Sequence, residues 1–187
     1  RDTKLFDQSH PVYKKMGATY PTGSNTDYLL GIWQDVYLFA VPEIRITDVF
    51  VQSWLDKNEL KVEVELTNLS SKKANITLNG EVREWINQAG KDILTAPEIK
   101  WTLGNTALTM PVTTVVLQKG EKKKVIITQK PDDKLKYWTP DTPELYTLLL
   151  TVNGKKQIYD CKATRFGWRQ FKIVGDEFQL NGKKIQC

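Results

Sequence analysis

The chain has 187 residues, is 40% hydrophobic and 26% charged, and carries a formal net charge of +5 from 27 Lys and Arg against 22 Asp and Glu. That composition excludes a disordered, collagenous or low-complexity chain, and the length excludes a complete (β/α)8 barrel, which needs at least about 200 residues. The mild, mixed positive charge contains no basic module of the kind that docks on nucleic acid, and no apolar run approaches the roughly 18 residues that would span a bilayer.

Residues 1–30 are rich in Thr, Gly, Pro, Asp and Ser and read as loop. The first residues form no signal peptide and do not begin with Met, so the chain is expected to be cut from a longer protein. Gly31 to Ala40 predicts a short apolar strand, closed by Val41-Pro42. From there the dominant period is two. Asp56-Lys57-Asn58 is a turn, and Val62, Val64 and Leu66 then alternate with Lys61, Glu63, Glu65 and Thr67, as a half-buried strand requires. Asn68-Leu69-Ser70-Ser71 is a second turn. Ile76 and Leu78 resume the alternation. Glu81 to Ile86 fits either a helical stripe or a continuation of the strand begun at Ala74, and Asn87 to Lys100 is irregular.

Gln118-Lys119-Gly120-Glu121 predicts a turn before a short strand through Val125 and Ile127, which a solvated Lys122-Lys123-Lys124 run enters. Pro140 and Pro143 fix φ and remove donors, making Trp138 to Glu144 a stiff edge or crossover. Tyr146, Leu148, Leu150 and Val152 form the next strand. Asn153-Gly154 before Gln157–Tyr159 predicts a hairpin of the primed-turn type, and Asn181-Gly182 between Phe178–Leu180 and Lys184-Ile185 predicts another. Short strands without helical crossovers mean antiparallel β. The expected fold is all-β: an immunoglobulin-like antiparallel β-sandwich of about seven strands with an N-terminal extension.

Chemistry is sparse. His10, the only histidine, sits beside Pro11 in the loop-like tail, and no nucleophile elbow surrounds any serine. Cys161 and Cys187 make neither a disulfide framework nor a zinc spacing. No glycine-rich phosphate cradle occurs. No metal or cofactor is expected. The carboxylate pairs Asp132-Asp133 and Glu81/Glu84 lie in charged, solvated stretches rather than in a concave site. Asn58-Glu59, a dipeptide that carries the acid/base in many barrel glycosidases, here opens the strand Leu60 to Leu66 after a tight turn and reads as a chance match. Asn68-Leu69-Ser70 and Asn75-Ile76-Thr77 match the glycosylation sequon. Among the six tryptophans, Trp33, Trp138 and Trp168 stand at strand or linker junctions and suit packing. Trp85 and Trp101 flank the irregular segment and are the candidates for a platform that stacks on sugar rings.

Three stretches together are similar to the family 2 glycoside hydrolases, the group of β-galactosidases, β-glucuronidases and β-mannosidases. They are Gly31-Ile32-Trp33-Gln34-Asp35-Val36-Tyr37-Leu38; Tyr137-Trp138-Thr139-Pro140-Asp141-Thr142-Pro143-Glu144-Leu145-Tyr146-Thr147-Leu148; and Arg165-Phe166-Gly167-Trp168-Arg169-Gln170-Phe171 followed by Phe178-Gln179-Leu180-Asn181-Gly182-Lys183-Lys184-Ile185. Gln34 departs from the arginine often found at its place in the first motif.

The resemblance implies a layout. Residues 1–40 would be the remnant of a preceding sugar-binding jelly-roll domain, 41–164 an immunoglobulin-like sandwich, and 165–187 a β-ribbon leading into a missing TIM barrel. The two catalytic glutamates would lie beyond Cys187, so no catalytic residue is assigned. Trp33, Trp138, Tyr146, Trp168 and Arg169 are expected at the interfaces with the neighbouring domains. Tyr146 is expected to bury its ring and tie down a loop through its hydroxyl, as in a tyrosine corner. The expected function is a non-catalytic structural domain of a parent that hydrolyses terminal β-glycosides; the alternative is a carbohydrate-binding module using Trp85 and Trp101. Expected partners are those neighbouring domains and, for the parent, a carbohydrate substrate, with no nucleic acid and no membrane. The resemblance also implies a periplasmic or extracellular bacterial location.

Overall fold

The computed structural model describes residues 36–88 and 101–186, and contacts separate residues 1–40 from the unit Val41–Cys187. Within that unit the strands are β1 (Ile44–Trp54), β2 (Glu59–Asn68), β3 (Ala74–Asn87), β4 (Trp101–Thr109), β5 (Thr113–Leu117), β6 (Lys122–Gln129), β7 (Tyr146–Asn153), β8 (Ile158–Phe166), β9 (Phe171–Val174), β10 (Glu177–Leu180) and β11 (Lys183–Ile185). One 3-10 turn, Leu55–Lys57, joins β1 to β2.

Two antiparallel sheets face each other. One has the order β1-β2-β6. The other has the order β4-β3-β7-β8, with β5 paired to the first half of the long strand β3 and β4 to its second half. The alternation read from the sequence decides which side of each strand turns inward. Leu60, Val62, Val64 and Leu66 of β2 meet Ile76, Leu78 and Val82 of β3 and Leu148, Leu150 and Val152 of β7 in one buried cluster. Apolar area removed from water in this way is the main stabilising term of the fold. The architecture is the expected immunoglobulin-like sandwich, with eight strands in its two sheets rather than about seven.

The sheets are joined along one side by side chains. Asp160 on β8 accepts the Ile46 N–H of β1 at 2.7 Å, and the Lys162 ammonium donates to the Thr47 carbonyl at 3.3 Å. The β1–β2 register shifts at Thr47, whose hydroxyl donates to the Glu65 carboxylate at 2.8 Å. The bulge gives the β1 edge groups for β8 to bond.

Several local expectations resolve in one direction. Glu81 to Ile86 continues β3 and is not helical. Val36–Ala40 fall outside every strand, correcting the expected strand for its described part, since a strand exists only where a ladder partner lies beside it; Gly31 to Asp35 lie outside the described residues. Asn181 and Gly182 have φ of 52° and 78°, the two positive values a primed turn requires. Asn153-Gly154 does form a hairpin, but not of that type. Its loop runs from Gly154 to Gln157, closed by the Gly154 N–H to the Gln157 carbonyl at 2.8 Å, and Gly154 is not left-handed. Glycine is there for space: a Cβ would sit 2.5 Å from the Tyr159 ring.

The Asn68 sequon is not accessible. Asn68 is fully buried, and its amide donates to the Lys72 and Gln118 carbonyls at 2.8 and 2.9 Å while its oxygen accepts from the Ser70 N–H. The side chain ties the β2–β3 turn to the β5–β6 turn. Asn75 remains exposed.

Candidate functional site

The residues singled out from the sequence divide between two places. Trp138, Tyr146, Trp168 and Arg169 come together at one end of the sandwich. Trp85 and Trp101 lie on the sheet containing β3 and β4. Trp33 lies outside the described residues, as do His10 and Cys187.

At the sandwich end the chain leaves β8 at Phe166 and passes the 138–145 crossover. Trp138 donates its N–H to the Trp168 carbonyl at 3.0 Å, and Tyr137 and Trp168 form a parallel bridge. Gly167 makes this approach possible, because a Cβ there would lie 3.0 Å from the Trp138 Cβ. Trp168 is buried, at 3% exposure, and Arg169 places its guanidinium 4.2 Å from the Trp138 ring centroid. That cation–π contact is worth about 0.5–2 kcal/mol, depending on how far it is desolvated. Asn181, from the turn after β10, donates its amide to the Trp138 carbonyl at 2.9 Å and accepts the Gln170 N–H at 2.9 Å. Ser53 of β1 donates to the Gly167 carbonyl at 3.3 Å.

Tyr146 opens β7 with its ring in the core, 6.0 Å from the Phe166 ring. Its hydroxyl accepts the Lys136 N–H at 2.9 Å. Burial pushes the phenol up from its ordinary value, and the hydrogen bond from Lys136 opposes that push. The crossover is stiffened by its own polar groups: the Thr142 N–H donates to the Thr139 hydroxyl at 3.0 Å and the Thr139 N–H to the Thr142 carbonyl at 3.1 Å. Beside this knot lies an open cleft of about 540 Å³ between Leu55, Leu135, Tyr137 and Trp168, with Asn58, Asp133 and Lys136 on its rim.

Asp56, in the 3-10 turn, was legible only as a turn residue. In the fold its carboxylate accepts from Lys172 at 2.8 Å and from the Gln170 amide at 3.1 Å. The lysine, then the glutamine, hold its pKa below the usual carboxylate range. Its partners lie more than a hundred residues away in sequence, so no local pattern could have found it.

On the five-stranded sheet Arg165 covers Trp85, its guanidinium 4.9 Å from the ring centroid, while Trp101 is 44% exposed at the start of β4. The β3–β4 register sets Trp85 against Leu103 and Asn87 against Trp101, so the two tryptophans share one face. The two stretches of paired carboxylates are occupied or exposed. Glu84 accepts the Asn105 N–H, Glu81 pairs with Arg83 at 3.8 Å, and Asp132 and Asp133 are exposed residues in left-handed conformation. Asn58, left-handed too, ends the turn before β2 and donates to Asp132 at 3.1 Å. Glu63 and Glu65, on the outer face of the other sheet, are held below their ordinary pKa, Glu63 by Lys61 and Lys124 and Glu65 by Lys122 and Thr47.

Comparison with known proteins gives this geometry a family. The β-galactosidase of Priestia megaterium is 28% identical over 179 residues, covering 93% of this chain and 16% of that protein. The β-galactosidase of Kluyveromyces lactis is 26% identical over 183 residues, covering 93% of this chain and 17% of its own length. The chain thus spans about a sixth of these curated relatives. Among solved structures, a GH2 β-galacturonidase from Eisenbergiella tayi superposes with a TM-score of 0.58 over 77% of this chain and 21% of its own, at 22% identity, a likeness of fold. The model described as glycosyl hydrolases family 2 matches residues 44–169. That match starts on the first residue of β1 and ends on the arginine that caps Trp138, taking in both sheets and the Trp138–Trp168 contact, and so the chain belongs to glycosyl hydrolase family 2.

Proposed function

We propose that this chain is a non-catalytic structural module of a larger family 2 glycoside hydrolase, and that the parent hydrolyses terminal β-glycosides with two carboxyl groups supplied by another domain. The module spaces and orients a sugar-binding domain on one side and a catalytic barrel on the other. The observation that carries this reading is the share of its relatives that the chain matches, about a sixth of each β-galactosidase, and its carboxylates agree with it. A glycosidase acid must hold its proton near neutral pH, and a retaining pair sits about 5 Å apart in an enclosed cleft. Asp56, Glu63 and Glu65 are instead kept ionised by surface ammonium groups. The backbone groups at the sandwich end are engaged in fixing one conformation, which suits a spacer. Trp138, Trp168 and Arg169 sit at that rigid end, which suits the interface with a neighbouring domain expected of them.

The test is hydrolysis of nitrophenyl β-glycosides. The purified chain should give none and the full-length parent should turn the substrate over; turnover by the chain itself would overturn the reading. The exposure of Trp101 on the same face as Trp85 favours a second reading, a carbohydrate-binding surface. Retention of the chain on a polysaccharide affinity gel, lost in Trp101→Ala, is its expected signature.

A further inference from the structure

The outer face of the five-stranded sheet carries a row of donors short of acceptors. Arg83 of β3, Thr147 of β7 and Arg165 of β8 stand side by side in register. Cross-strand partners point to the same side of a sheet. Their chain neighbours Val82 and Leu148 turn into the core, so these three face outward. Thr147 is only 2% exposed, and its hydroxyl has no hydrogen-bond partner. Both of its neighbours across the strands are guanidinium groups, which donate and cannot accept. Arg83 directs Nε and Nη2 at the Gly104 carbonyl, at 3.0 and 2.8 Å, and its Nη1 lies 3.8 Å from Glu81.

Arg165 is the exposed member of the row. Strand β7 lies between β3 and β8, so the contact of Arg165 with the Trp85 ring passes over β7 beside Thr147. The ring holds the guanidinium without using its N–H groups: among the described residues, no hydrogen bond or ion pair reaches it. A stacked guanidinium is a planar fork of donors already held in place, the geometry that takes a carboxylate through two parallel bonds. Arg83 has its acceptors within the fold, and Arg165 has none.

Two observations name the occupant. The first is charge. The row beside Arg165 brings one carboxylate to this face, Glu81, and it already faces Arg83 and accepts from the Thr106 hydroxyl at 3.4 Å. The charge left over is that of Arg165, and it calls for an anion. The second is Trp101, 44% exposed on the same face. It stands diagonally across the β3–β4 register from Trp85, about 7–8 Å away along the backbone. An aromatic ring takes the apolar C–H face of a sugar. A chain of sugars laid across these strands meets the indole of Trp101 and then the guanidinium of Arg165.

We propose that this face binds an acidic polysaccharide: the carboxylate of a uronic acid residue is taken by Arg165 and the Thr147 hydroxyl, and a neighbouring sugar ring stacks on Trp101. This rests on the carbohydrate-binding reading and names its ligand class. The test is affinity electrophoresis of the 187-residue chain at pH 7 in gels holding polygalacturonate or its methyl ester, the same sugar backbone without the charge. Polygalacturonate should bind at least tenfold more tightly than the ester. Arg165→Gln should erase that difference, and Arg165→Lys, which keeps the charge and loses the fork, should cost at least fivefold. Thr147→Val should weaken polygalacturonate binding at least threefold without lowering the urea midpoint, because the hydroxyl has no partner to lose in the free chain. Trp101→Ala should weaken binding of both polymers. Lys156→Gln, which removes one exposed charge at the far end of the β7–β8 hairpin, should change neither.

Equal retention by polygalacturonate and its methyl ester would overturn the proposal and leave the carbohydrate-binding reading standing. Retention by neither polymer would sink both. Unchanged polygalacturonate binding in Arg165→Gln or in Thr147→Val would also overturn it. So would a loss in Lys156→Gln as large as in Arg165→Gln, since net charge alone would then be at work. A dimer of the chain that Arg165→Gln dissolves would overturn it as well, because the carboxylate would then come from a second copy.

Discussion

The sandwich and the ribbon are built on the same period-two pattern and end differently. In the sandwich, the apolar side of β2 is covered by the apolar sides of β3 and β7, and Leu66, Leu78 and Leu148 are fully buried. In the ribbon, Phe171, Ile173 and Phe178 alternate just as cleanly and remain in water. Alternation says which side of a strand is apolar. It does not say what covers that side, because the cover comes from elsewhere in the chain or from beyond it.

Core substitution gives the largest expected effect. Leu148→Ala should cost about 2–5 kcal/mol, the transfer term plus an unfilled cavity. Ile173→Lys in the same 187-residue chain should change the denaturant midpoint of the sandwich by less than about 0.5 kcal/mol. Urea unfolding followed by tryptophan fluorescence checks both. Comparable losses would mean that the ribbon shares the sandwich core.

Next comes Asn68, a buried polar group inside the apolar sandwich. Removing its amide takes a donor from the Lys72 and Gln118 carbonyls and the acceptor of the Ser70 N–H, and each such hydrogen bond contributes about 0.5–1.5 kcal/mol net. Asn68→Ala should therefore destabilise by about 2–4 kcal/mol. Asn68→Asp should be worse, since it aims a carboxylate at two carbonyls. Thermal melts of the two variants give the order, and the reverse order would show that the amide hydrogens are not what joins the two turns.

A smaller loss is expected at the sandwich end. Tyr146→Phe keeps the ring in the core and removes only the acceptor of the Lys136 N–H, for about 1–2 kcal/mol. Exchange of the Lys136 amide should accelerate while that of Leu148 does not. An unchanged Lys136 rate would mean that the loop is held by other contacts.

The difference between the two regions also explains what could be read from the sequence. Strand β2 was legible because Val62, Val64 and Leu66 alternate with charges without interruption. Asn181-Gly182 was legible because left-handed φ values are a property of the two residues themselves. Strands β1 and β4 carry no such uninterrupted signal. The first carries a bulge at Thr47, and the β3–β4 register shifts around Arg83, whose guanidinium bonds the Gly104 carbonyl at 2.8 Å. Each irregularity breaks the period that betrays a strand.

Gly154 reads as a primed-turn glycine because one chosen for the space beside Tyr159 looks the same in sequence as one chosen for its backbone. At the sandwich end, motif resemblance points to Trp138, Trp168 and Arg169, whereas Asp56 and the buried role of Asn68 depend on partners that only the fold supplies.

The weakest contrast between the regions is electrostatic, and its sign is fixed by the direction of the pKa shifts. Glu63 and Glu65 line the outer face of the sandwich, held low by Lys61, Lys124 and Lys122. Asp56 tethers the ribbon, held low by Lys172 and Gln170. A carboxyl whose folded pKa is depressed adds stability above its unfolded value, and that contribution fades as pH falls through the folded value. For the two glutamates the window opens downward from an ordinary value of 4.5, and for Asp56 from 3.8. All three are surface groups, so the effects are small and screened by salt. Glu63→Gln with Glu65→Gln should flatten the fall in melting temperature between pH 5 and about pH 3 without touching ribbon exchange. Asp56→Asn should do the reverse: ribbon amides 171–185 exchange faster at pH 7, and the melting temperature of the sandwich stays put. If Asp56→Asn lowered the sandwich melt as much as Tyr146→Phe does, the carboxylate would be holding the β1–β2 turn to the sandwich rather than the ribbon to the turn.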